Sequence, residues 1–196
     1  MKADSPRRRT ASDQVSAALL DAAETVLDRD GAAGVTVRAV AREAAVAPMG
    51  VYNRFTNKDG LLNALAIRAF DELAAAVDVP TDLTPQQRLM QAARGYRSFA
   101  VAHPARYSLI FAAGSPAADP LSPVQEHGRE VFDVLIGMVK AVAPSAAIDS
   151  VDAAQAIWNA MHGAVTIQLA GVTQTSDPDT NYDQTIELII DGLRAR

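Results

Sequence analysis

Cysteine is missing from all 196 residues, which excludes a disulfide frame and a thiolate metal site and makes a cytoplasmic protein the simplest expectation. No apolar run approaches the ~18 residues of a membrane span, and the first residues lack the apolar core of a secretory signal. Strand-like alternation is lacking too, so the chain reads as all-α. The chemistry of common enzymes is equally scarce. There is no nucleophile-elbow serine and no phosphate-cradling glycine loop, and His103, His127 and His162 lack a metal-ligand spacing. Neither a catalytic residue nor a cofactor or metal is expected.

About half of the residues (49 %) are apolar, enough for a sizeable core in one or two domains. The net charge of −5 is unevenly spread. Residues 1–60 hold nine Lys or Arg against eight Asp or Glu, whereas 61–196 hold nine against fifteen. Asp21, Glu24, Asp28 and Asp30 fall in one predicted helix, leaving Arg7, Arg8, Arg9, Arg38, Arg42, Arg54 and Lys58 to form a local positive face. That distribution permits a small nucleic-acid-binding head on an acidic body.

The opening "MKADSPRRRTASD" reads as a flexible basic arm over residues 1–12. Arg7, Arg8 and Arg9 are either a solvated tail or a reader of the minor groove; the tail is the default. Val15, Leu19, Ala22, Val26 and Leu27 then recur at helical spacing until "DGAAG". Thr36 suits a cap for a short second helix, with Val35 and Val40 as a hydrophobic staple. A third helix starts near Pro48, and a fourth spans Lys58 to about Val77. "DVPTDLTP" is the best boundary; beyond it helices are expected at about 85–102, 104–113, 120–142, 150–173 and 179–194.

Two short helices joined by a tight turn form a helix-turn-helix, whose second helix can enter a major groove about 12 Å wide. "TVRAVAREAAVAPMGVYNRFTNKDGLL" resembles the N-terminal domain of the tetracycline-repressor (TetR) family. The resemblance covers about residues 12–62. It implies a DNA-binding domain over 13–60, a connecting helix over 61–80, and an effector-binding and dimerisation domain over 81–196. By the family's pattern, Pro48, Met49 and Gly50 meet base edges; Met49 suits a thymine methyl and Gly50 a close backbone approach. Arg38, Tyr52, Asn53 or Arg54 supply the rest of the readout, while Tyr52 and Lys58 match the family's phosphate contacts and Thr36 suits the same role. Two positions depart from the pattern. The usual turn glycine is Ala45, which costs about 1 kcal/mol or more if left-handed. Gly60 replaces a capping-box Glu, so a looser start to the fourth helix is expected.

In the C-terminal half, "WNAMHGAVTIQLAG" resembles the Trp, His-Gly signature of one family subgroup. Trp158 and His162 share a helical face. They either line an effector cavity or pack near a dimer seam, with His162 bonded to a backbone carbonyl. Tyr96, Phe99, Tyr107, Phe111 and Phe132 are core residues by default and cavity candidates with them. An apolar or amphipathic effector is implied. A two-fold dimer is expected through Ile157, Ala160, Ala164, Ile167 and Gly171 on one helix and Ile186, Ile189, Ile190 and Leu193 on the last. The function implied is a repressor of a palindromic operator, released by a small molecule. The competing reading is a helical interaction module without sequence-specific DNA binding.

Overall fold

The computed structural model describes residues 6–143 and 148–194, with side chains from residue 14 onward. Nine α-helices occur among them: α1 (Pro6–Gly34), α2 (Val37–Glu43), α3 (Pro48–Phe55), α4 (Lys58–Val77), α5 (Pro85–Ala102), α6 (Pro104–Phe111), α7 (Val124–Val142), α8 (Ser150–Leu169) and α9 (Pro178–Arg194), with a short 3-10 turn at Pro116–Ala118. No strand occurs among the described residues, and the all-α expectation holds. No described helix is long and apolar enough to cross a membrane.

Most boundaries follow from local chemistry. Thr36 caps α2 by accepting from the Ala39 amide at 3.1 Å, and Val35 and Val40 are both fully buried, as a staple requires. A reciprocal capping box between Thr84 and Gln87 opens α5. The first helix differs from its expected extent. It begins at Pro6, because proline's fixed φ suits a first helical turn, and so takes in residues assigned to the arm. Its far end is broken at Gly31, whose φ of 68° few other residues adopt readily.

The chain divides into two compact units, Met1–Ala69 with Ala105–Gln125, and Phe70–Pro104 with Glu126–Arg196. The first therefore includes a segment, 105–125, that a linear reading assigns to the C-terminal domain. Electrostatics supplies the reason. Glu24 of α1 is buried, and Arg68 Nε reaches its carboxylate at 2.9 Å. Arg106 of α6 lies 3.7 Å from the other oxygen and 2.8 Å from Asp28. A buried carboxylate is stable only with such partners.

In the second unit α5 packs on α8 and α9, and α8 on α9. Bidentate contact between Arg94 and Asp183, the Arg97–Asp179 pair, and a hydrogen bond from the Tyr182 hydroxyl to the Ala93 carbonyl tie α5 to α9. Gly95 lets α5 approach the Ala76 carbonyl of α4, a place where a Cβ would lie 1.9 Å from the oxygen.

Candidate nucleic-acid interface and effector cavity

The second and third helices pack on each other, and α2 also on α1. Val37, Val40, Ala41 and Val51 are buried between them and supply the small core. The turn is tight: the Val46 amide bonds to the Ala41 carbonyl at 2.9 Å. Ala45 sits there at φ 53°, in the left-handed region where its Cβ is crowded. The expected penalty at this position is therefore incurred.

Around this core the outward residues of α3 face solvent. Met49 is 65 % exposed and Tyr52 49 %, so the chain's own packing leaves both side chains in water. Arg38, Pro48, Asn53 and Arg54 are exposed as well, and Gly50 and Lys58 are half-buried. A Cβ at Gly50 would meet only Val46, at 3.8 Å, so the protein's own packing does not require glycine there. Lys58 extends toward the Ala33 carbonyl at 3.4 Å. That long bond uses one of three ammonium donors and leaves two for an external anion. Thr36 accepts from α2's own amide, while its hydroxyl proton stays available.

At the junction from α3 to α4 the cap forms without the family's Glu. Asn57 caps the turn by accepting from the Gly60 amide at 2.8 Å, and a Cβ on residue 60 would lie 2.2 Å from the Phe55 carbonyl oxygen. Glycine allows this close approach, which a capping Glu would forbid. The connecting Thr56 is held at φ 60°, a strained state for a β-branched residue.

Two residue matches decide what this geometry belongs to. Residues 19–65 match the family described as bacterial regulatory proteins, tetR family, and residues 89–193 match the tetracyclin repressor-like C-terminal domain. The chain belongs to the TetR family of transcriptional regulators. Among similar proteins, an uncharacterized HTH-type transcriptional regulator of Mycobacterium tuberculosis, Rv0681, is 26 % identical over 182 residues, 91 % of this chain and 81 % of that protein. A solved protein of unknown function from Rhodococcus sp. RHA1 has a TM-score of 0.77 at 26 % identity, over 92 % of this chain and 95 % of that one. The transcriptional regulator SCO7222, a TetR from Streptomyces coelicolor, shares the fold with a TM-score of 0.69 at 21 % identity, over 91 % and 96 % of the two chains. TetR members are DNA-binding regulators rather than enzymes.

In this TetR protein five of the seven residues expected to line an effector cavity lie in the second unit, and Tyr107 and Phe111 lie in the first. Tyr96, Phe132, Trp158 and His162 come together in the second unit. Trp158 donates its ring N–H to the Tyr96 hydroxyl at 3.3 Å, which lies 3.1 Å from Nδ1 of His162. The Tyr96 phenol is thus a partner of His162. The Phe132 ring lies 5.8 Å from that of Trp158, tilted by 56°. Burial lowers the His162 pKa, since desolvation disfavours the imidazolium. Phe99 lies beside His103 instead, and Tyr107 with Phe111 form an edge-to-face pair within the first unit.

A cavity of about 110 Å³ lies elsewhere in the second unit, lined by Phe70, Asp71, Ala74 and Val77 of α4 and His127, Glu130, Val131 and Val134 of α7. An open groove of about 590 Å³ runs along α5 and α9 beside Met90 and Arg94. Neither includes any of the seven. Sequence reasoning missed the α4–α7 residues because each helix alone shows only an ordinary amphipathic face.

The proposed dimer residues also divide. Ile157 and Ile186 are fully buried within one chain, and Ile190 and Leu193 are 4 % and 8 % exposed. Their apolar periodicity serves the chain's own core, which corrects their assignment to a partner face. Ala160, Ala164 and Ile189 are half-buried, and Ile167 and Gly171 are exposed. Leu169, Val172 and Leu188 add exposed apolar surface on and beside the same helices.

Proposed function

We propose that this TetR regulator binds a palindromic operator as a two-fold homodimer, represses transcription in the cytoplasm, and is released by a small molecule. The observation that carries the DNA-binding part is the exposed α3 face, where Met49 and Tyr52 stand outward beside Gly50. Pro48, Met49 and Gly50 meet the bases, with Arg38, Asn53 and Arg54 extending the contact. None of Pro48, Met49 and Gly50 offers a bidentate hydrogen-bonding side chain, so methyl contacts and DNA shape carry much of the discrimination. Thr36, Tyr52 and Lys58 hold the phosphates on either side.

Dimerisation rests on the exposed faces of α8 and α9. Ile167, Leu169, Val172 and Leu188 are apolar side chains that a monomer would leave in water. Two recognition helices would then meet half-sites about 34–36 Å apart. Effector and operator disfavour each other reciprocally when they select different head placements.

Operator selection from random and genomic DNA, at several salt concentrations, tests this reading. Recovery of one palindrome with affinity falling steeply with salt is expected. Uniformly weak binding to all sequences, or none, would establish instead a helical interaction module. Small-molecule release is then screened on the selected operator.

A further inference from the structure

The α4–α7 cavity has a floor and a rim of different chemistry. Phe70, Ala74 and Val77 recur along one face of α4, and Val131 and Val134 answer them from α7. Phe70 is only 3 % exposed. Gly128 lets α7 close on it, because a Cβ there would lie 3.1 Å from the ring. The polar lining comes from Asp71, His127 and Glu130. His127 Nδ1 lies 3.3 Å from Asp71 Oδ1, and the Asp71 side chain remains 64 % exposed. No Lys or Arg lines the space.

Charge and size together select an occupant. With His127 neutral the lining carries two negative charges, and with it protonated one remains; an anion is disfavoured in either state and a cation favoured in both. A volume of about 110 Å³ approaches the ~150 Å³ in which an apolar cavity takes up benzene. We infer that the α4–α7 cavity is the effector site of this regulator and takes a small ammonium amphiphile, its cationic head at Asp71 and Glu130 and its short apolar body against Phe70 and Val131. This rests on the reading of the protein as a ligand-released regulator. It also narrows the effector expected from sequence, since a purely apolar molecule would gain nothing from the two carboxylates.

Calorimetric titration of the full-length protein with phenethylammonium, 2-phenylethanol and phenylacetate, three ligands of nearly one shape, separates charge from fit. Saturable binding of the ammonium is expected, with the alcohol about tenfold weaker and the acid weaker still. Combined Asp71→Asn and Glu130→Gln should weaken the ammonium about tenfold and leave the alcohol nearly unchanged, whereas Val131→Trp should exclude both by filling the space. Phenethylammonium should also lower affinity for the selected operator in the wild type and not in Val131→Trp. Equal affinity for all three ligands, no saturable binding, or binding that leaves operator affinity unchanged would each overturn the assignment. Operator binding by the ligand-free protein is measured separately, so failure here is distinguishable from failure of the DNA-binding reading.

Discussion

Gly60 and Phe55 stand closer than any residue with a side chain would permit: a Cβ on residue 60 would lie 2.2 Å from the Phe55 carbonyl oxygen. This approach lets the last turn of the recognition helix run directly into the first turn of α4, where Lys58 stands. Gly60→Ala must therefore displace backbone rather than a flexible side-chain end. A loss of roughly 2 kcal/mol or more in urea unfolding is expected, at the high end of overpacking penalties. Operator affinity should fall with it, because Tyr52 and Lys58 would no longer be held in register.

The opposite substitution should help at the other end of α3. Ala45 occupies φ 53°, a region that costs a non-glycine residue about 1–2 kcal/mol. Ala45→Gly removes that strain but gives the unfolded chain more freedom, which offsets about 0.4–1 kcal/mol. The net expectation is stabilisation by about 0.5–1 kcal/mol, read as a higher urea midpoint with an unchanged slope. A lower midpoint would mean that the turn is not strained.

These two positions mark where sequence reading succeeds and where it stops. The caps at Thr36 and Thr84 and the first-turn proline Pro48 act within three or four residues, so the helix starts they set are legible in one dimension. The strain at Ala45 was foreseeable from the missing turn glycine alone. The need for glycine at residue 60 is not legible in this way, because it comes from a carbonyl five residues earlier that reaches it only after the turn has formed. The place of α6 in the first unit is hidden for a similar reason: the ion pairs of Arg106 with Glu24 and Asp28 that hold it there span about eighty residues of sequence.

Apolar periodicity carries the same ambiguity into α9, since it marks a buried face without saying whether the same chain or a partner covers it. Ile186 is fully buried in one chain, whereas Leu188, two residues on, is 75 % exposed. Ile186→Ala should destabilise the fold by about 2–5 kcal/mol. Leu188→Glu should leave the fold within about 0.5 kcal/mol of wild type and raise the dimer dissociation constant in sedimentation equilibrium. An unchanged dimer would move the interface off this face of α9.

Acid should act on the second unit through His162. Its folded pKa lies below the ordinary value of 6.5 because burial disfavours the charged ring. Between those two values the unfolded chain binds a proton that the native chain does not, so stability is present above about pH 6.5 and falls as the pH drops toward the folded pKa. The slope should stay below the ~1.4 kcal/mol per pH unit of one complete proton, since the ring is only half-buried. His162→Gln keeps a polar partner for Tyr96 and removes the titration. Its unfolding midpoint should vary less with pH over this window than that of the wild type.

Gly50 poses the reverse of the Gly60 problem. Its added Cβ would meet only Val46, at 3.8 Å, and in an exposed helix Ala is favoured over Gly by about 0.5–1 kcal/mol. Gly50→Ala should therefore raise the thermal midpoint of the free protein. If glycine is there to let α3 approach the bases, operator affinity should nevertheless fall about tenfold or more, with DNA of unrelated sequence bound as before. Met49→Ala should act differently, changing which base is preferred at one position of each half-site, because it removes a methyl-seeking side chain and adds no obstruction. Uniform weakening by Met49→Ala across all sequences would assign it to packing against the backbone. Unchanged operator affinity in Gly50→Ala would show that α3 does not come as close to the groove floor as its glycine allows.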